Sequence, residues 1–173
     1  FGLRKPDAGE IRIHGKQLHI NSPSDAIDHG LGLVPESRKE QGLVLGMSCK
    51  DNTTLAHLSD FTKFGWIDTA AEREAFENYM EKLRIKTPGW DYCTENLSGG
   101  NQQKVVIGKW LSTSPRILIL DEPTRGIDVG SKSEIHHLIR ELAKCGLAVI
   151  VVSSEMPEVL TVSDRIVAMY DGQ

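Results

Sequence analysis

Residues 117–124, Ile117-Leu118-Ile119-Leu120-Asp121-Glu122-Pro123-Thr124, carry four apolar residues straight into two adjacent acids. A short unbroken aliphatic run reads as a strand buried on both faces, the habit of parallel strands covered by helices. In such sheets ligands bind beyond the carboxyl ends of the strands, which is where the two carboxylates lie. Asp121 can hold Mg²⁺ through water while Glu122 polarises an attacking water, a division of labour suited to phosphoryl transfer. Taken alone, the same residues also suit an acidic turn that caps the next helix.

The flanking sequence extends this pattern. Ser131 with Glu134 predicts the cap of a helix whose Ile135, Leu138, Ile139 and Leu142 form one apolar stripe, ended by Gly146. Leu147–Val152 follows as another apolar strand. Upstream, a helix is predicted from about Asn101 to Leu111, introduced by Leu97-Ser98-Gly99-Gly100-Asn101-Gln102-Gln103-Lys104. Two residues without side chains let an anion approach the backbone, and a helix N-terminus offers it unpaired N–H groups.

Nearer the start, Ile11–His14 and Gln17–Ile20 alternate apolar and polar across Gly15-Lys16, which predicts a hairpin with one wet face. Ser22-Pro23 opens a short helix that Gly30 can end, and Gly32–Val34 is a brief strand stopped by Pro35. From Ser48 to Asp91 the periodicity turns helical, with Asp68 and Glu72 as a capping signal and Phe76, Tyr79, Met80 and Leu83 on one face. The organisation expected is a β hairpin and the start of an α/β core in 1–47, a helical insert in 48–93, and the rest of the core in 94–173. Arg165–Tyr170 is expected to form a strand entering a turn at Asp171-Gly172, and the sequence is expected to be a piece of a longer protein.

Composition narrows the function classes. A net charge of −4 and a pI near 5.9 argue against general affinity for nucleic acid or anionic lipid. The three cysteines are widely spaced and form neither a C-x-x-C pair nor a disulfide framework. The longest aliphatic run is far shorter than the roughly 20 residues of a membrane-spanning helix. His136 and His137 are adjacent on a helix and cannot share a metal on one face; one is expected to be packed and the other wet. Trp66, Trp90 and Trp110 are read as packing residues.

LSGGNQQK, then ILILDEPT, then Gly126-Ile127-Asp128-Val129-Gly130 resemble, in order and spacing, the signature motif, Walker B strand and D-loop of ABC-type ATPases. With VPESRKEQGL, the wording is most similar to the second nucleotide-binding domain of bacterial monosaccharide importers of the ribose, galactose and xylose type. The resemblance covers essentially the whole chain. It implies a P-loop NTPase-like α/β fold, ATP and Mg²⁺ as cofactors, and pairing with a second ABC ATPase domain. It also implies permease subunits, an external (periplasmic) sugar-binding protein as an indirect partner, no nucleic acid, and a place on the cytoplasmic face of the bacterial inner membrane.

The resemblance assigns roles to individual residues. Ser98, Gly99, Gly100 and Asn101 would contact ATP held by the partner domain, and Asp128 would lie at the interface between the two. Asp121 would bind Mg²⁺ through water and Glu122 would polarise water. Glu36 stands where the wider family has the Q-loop Gln; it can approach a metal but cannot donate amide N–H bonds. Ser154 aligns with the switch histidine, whose charge and reach a hydroxyl lacks. Glu36 and Ser154 thus imply that the chain's own site is degenerate, and because no G-x-x-x-x-G-K-[S/T] occurs in the 173 residues the fragment alone is expected to bind ATP poorly.

Other readings compete with this one. A soluble ABC ATPase of translation or DNA repair fits poorly with the acidic balance and the compact helical insert. A non-hydrolysing interaction module is favoured by Glu36 and Ser154. Gly42–Met47 suits either a contact with the membrane subunits or an ordinary buried loop. Lacking the phosphate-loop strand and helix, the isolated fragment is expected to be weakly stable and prone to aggregate.

Overall fold

In the computed structural model, which describes residues 1–170, Ile11–Ile13 (β1) and Lys16–Leu18 (β2) pair antiparallel as the alternation requires. His14 and Gly15 turn the chain with positive φ, the left-handed geometry such a tight hairpin needs. Ser22 caps the helix Pro23–Asp28 (α1) by accepting from the Asp25 N–H at 3.1 Å. Gly30, at φ +77°, then turns the chain into Leu31–Val34 (β3).

After a single π turn at Arg38–Gly42, the segment expected to form a helical insert opens with Cys49–Thr54 (α2), capped by Ser48. It is not wholly helical: Thr62–Lys63 (β4) and Trp66–Ile67 (β5) form a small antiparallel hairpin that periodicity did not reveal. Trp66 is 82% exposed there, so it is not a packing residue. A strand of two residues is too short to bury a ring of that size. Trp90 and Trp110 do pack against the core.

Asp68 caps Thr69–Lys82 (α3) through the Ala71 N–H. Glu72 does not complete a capping box but turns inward, accepting from Lys50 Nζ at 2.7 Å and from the Thr54 hydroxyl at 2.6 Å. A buried carboxylate needs such partners. This polar knot ties α3 to α2.

Gly99–Leu111 (α4) leads to Ile117–Asp121 (β6), Val129–Lys144 (α5), Ala148–Val152 (β7) and Met156–Val162 (α6). The three longer strands form one parallel sheet in the order β3-β6-β7, with Leu31 beside Ile117 and Ile117 beside Ala148. The core cluster joins Val34, Leu118 and Leu120 of the sheet to Val105–Ile107 of α4, Ile135 and Ile139 of α5, and Phe76 of α3. The predicted stripe on α5 is thus its core face, and Gly146 at φ +94° ends that helix. His136 is half-buried and His137 exposed.

Three further expectations need correction. First, β7 is not covered on both faces: Val149 and Val151 pack inward while Ile150 and Val152 are exposed. Among the described residues β7 pairs only with β6. Second, Arg165–Tyr170 is not a strand. An extended segment without a neighbour leaves its backbone groups to water, and no described strand flanks it; the turn at Asp171-Gly172 lies outside the described residues. Third, α5 starts earlier than Ser131, because Asp128 caps it. Glu134 reaches instead for Lys104 on α4, at 2.7 Å. No described helix is long and apolar enough to cross a membrane.

Candidate functional site

The acids predicted at a strand end are there. Asp121 is the last residue of β6, half-buried, and its carboxylate has no hydrogen-bond or ion-pair partner among the described residues. Glu122 adopts φ +45°, rare for a side chain of this size, and its N–H donates to Val152 O at 2.8 Å across to β7. Strained backbone of this kind clusters at functional sites. The Glu122 carboxylate accepts from the Ser154 backbone N–H at 2.8 Å. Glu122 and Ser154 are therefore brought together, through the main chain rather than the hydroxyl.

Glu36, just beyond β3, is exposed and ion-paired with Arg125 in the loop after Glu122. The Glu36–Gln41 turn and Arg125 line an open cavity of about 490 Å³. No group of three or more His, Cys, Asp or Glu side chains converges among the described residues. That does not disqualify Asp121, since Mg²⁺ is commonly held by one or two carboxylates with waters and nucleotide phosphates completing the octahedron. The donor set fits Mg²⁺ that arrives with a nucleotide.

At the N-terminus of α4, Ser98 occupies the capping position but makes no side-chain cap, so the first amides of a thirteen-residue helix have no side-chain acceptor. Such amides favour an anion. The Ser98 hydroxyl is exposed and accepts instead from Asn101 Nδ2 at 2.9 Å, while Asn101 Oδ1 accepts from the Lys86 N–H at 2.8 Å. A Cβ added to Gly100 would stand 2.6 Å from Ser131 Cβ and closer still to its hydroxyl. Glycine is what lets the starts of α4 and α5 touch.

Asp128 accepts from the Ser131 N–H at 2.9 Å and from its hydroxyl at 2.7 Å, and these bonds hold the Asp128 carboxyl below its ordinary pKa. The same Ser131 thus joins Asp128 to Gly100. Lys104, buried on α4, donates to Glu134 and to Arg84 O at 3.1 Å, and the pairing holds the Glu134 carboxyl low.

Arg38 lies two residues past Glu36 in VPESRKEQGL, and its place at the centre was not read from sequence. Its guanidinium donates to Gln102 Oε1 at 3.3 Å, Arg125 O at 2.9 Å and Gly126 O at 3.0 Å. Burial lowers its pKa from the usual arginine value. The turn it opens lies along α4: Gly42 packs on Val106, and Gly42 O accepts from Lys109 Nζ. Sequence signals a charged residue near the motif but not which carbonyls a long arginine side chain will find.

Residues 1–125 match the ABC transporter family. The ribose import ATP-binding protein RbsA of Chromobacterium violaceum is 48% identical over 173 residues, and that of Rhodopirellula baltica 52% over 174. Each alignment takes in 100% of this chain but 34% of the relative, so the chain spans about a third of their length. In fold, the chain is similar to a nucleotide-free ATP-binding cassette from an ABC transporter, with a TM-score of 0.83 at 22% identity. That match covers 99% of this chain and 70% of the other. A second solved structure, of an ABC transporter's ATP-binding cassette in its ADP conformation, gives 0.82 at 22% identity, with 99% and 69% covered.

Proposed function

The chain belongs to the ABC transporter family, and from that premise we propose that it is part of an ATP-binding subunit that energises import of a monosaccharide across the bacterial inner membrane. The subunit works at the cytoplasmic face with a permease pair, a second ABC ATPase domain and, indirectly, a periplasmic sugar-binding protein. The likeness to ribose import proteins supports the substrate class.

The observation that carries the reading is the uncapped N-terminus of α4, with Ser98 exposed and Gly99 and Gly100 behind it. In an ABC pair this end meets ATP held on the partner's phosphate loop; Ser98 donates its hydroxyl, and the free amides and helix dipole stabilise charge on the phosphates. Asn101 orients Ser98, and Asp128 fixes the α5 start that abuts Gly100. The chain's own site has the lesser part. Asp121 would hold Mg²⁺ through water, and the bound ion would supply charge neutralisation for the phosphate oxygens. Glu122 is the candidate base for water, but its carboxylate is already engaged by the Ser154 N–H. Glu36 is tied to Arg125 rather than offering an amide.

A non-hydrolysing interaction module is the second reading, favoured by the way Glu36 and Glu122 are both occupied by protein groups. ATPase turnover of the full-length subunit, reconstituted with its permease, separates the two. Ser98→Arg is expected to cut turnover on the order of 100-fold, as loss of preorganised charge stabilisation does, while Glu122→Gln spares most of it. Loss with both variants makes the chain's own site catalytic. Full turnover in both makes the chain a module without a share in hydrolysis.

A further inference from the structure

We infer that Arg38 is a positioning residue that locks the first turn of α4 to the loop following Asp121-Glu122, so that presentation of Ser98 and Gly99 to the partner's nucleotide depends on it; the inference rests on the signature reading above. One guanidinium reaches three acceptors on two segments far apart in sequence: Gln102 Oε1 on α4, and the carbonyls of Arg125 and Gly126. A planar fork with donors in fixed directions can do this, whereas a lysine's single ammonium cannot span the same set.

Two neighbouring features are shaped to the fork. A Cβ on Gly99 would stand 2.8 Å from Arg38 Nη2, so a bare backbone at that signature position lets the guanidinium lie against the helix start. Gln102, while accepting from Arg38, donates its amide to Thr94 O at 3.0 Å, which passes the anchor to the segment preceding the signature. On the other side the Glu36–Arg125 ion pair repeats the link between the same two loops. The loop so held leads directly to Asp128, whose carboxylate sets the start of α5 against Gly100. Arg38 therefore closes a ring: turn, signature helix, α5 start, post-Glu122 loop, and back.

The test uses the full-length subunit with its permease. Arg38→Gln and Arg38→Lys are both expected to lower ATPase turnover on the order of tenfold or more, since small misplacements of a positioning group cost that much. Amide hydrogen exchange should rise at Gly99–Gln102 and at Arg125–Gly126 but not at the core amides of Val105–Ile107. Wild-type turnover in Arg38→Lys overturns the proposal, because charge alone would then suffice. Exchange rising equally through the core also overturns it, by making Arg38 a general stabiliser. Ser98→Arg, run beside them, separates the premises. If it spares turnover, the signature reading and this inference fall together; if it abolishes turnover while Arg38→Gln does not, only the inference falls.

Discussion

The two ends of the chemistry are built differently. Around the start of α4, polar groups interlock: Arg38 with Gln102, Asn101 with Ser98 and the Lys86 backbone N–H, Lys104 with Glu134, and Gly100 closed against Ser131. At the carboxyl ends of β6 and β7, Asp121 has no partner among the described residues, and Glu122 is held by one main-chain N–H beside an exposed strand face. The half-site proposed for a partner domain is thus made rigid by this chain's own contacts. The half-site it would keep is left to be completed by other groups.

The largest expected effect probes how dry α4 is at its far end. Burial lowers the Lys109 ammonium from 10.5 to about 8. Between those values the unfolded chain binds a proton that the folded chain does not, so the folded state gains stability as pH rises through the window; below about 8 the full penalty applies, on the order of 3 kcal/mol. Comparing wild type with Lys109→Met in urea melts of the intact subunit isolates this residue. The difference should move in favour of wild type by about that amount from pH 8 to 10.5. A pH-independent difference would mean that water reaches Lys109 and that the helix is less tightly held than the contrast requires.

Next in size is Gly100→Ala, which should cost about 1–3 kcal/mol through overpacking against Ser131. Ser131→Gly in the same chain should recover most of the loss, measured by the urea midpoint. Absence of recovery would locate the strain elsewhere and weaken the description of α4 and α5 as touching at their starts. The smallest effect is expected at the other end. Ser154→Ala should change stability by less than about 0.5 kcal/mol and leave ATPase turnover of the subunit as it was, because Ser154 meets Glu122 through its backbone N–H. A clear loss of turnover would assign work to the hydroxyl and raise the standing of the chain's own site.

Sequence by itself determined the elements whose signal is local. Ser22, Asp68 and the glycines at 30 and 146 mark helix ends because capping and positive φ involve residues within a few positions of one another. ILILD reads as a buried strand because its apolar run needs no knowledge of its neighbours, and the order of LSGG, DEP and GID identifies the family. Tertiary structure alone decided the rest. That Asp128 rather than Ser131 caps α5 follows from which side chain reaches the first amides, and Glu134 is diverted by Lys104, thirty residues away in sequence. The exposure of β7 and the failure of Arg165–Tyr170 to become a strand depend on what lies alongside, which no periodicity encodes. Arg38 is the clearest case: its acceptors stand 64, 87 and 88 residues downstream. They are two carbonyls and a glutamine amide, groups that carry no distinguishing sequence signal until the chain has folded them onto one another.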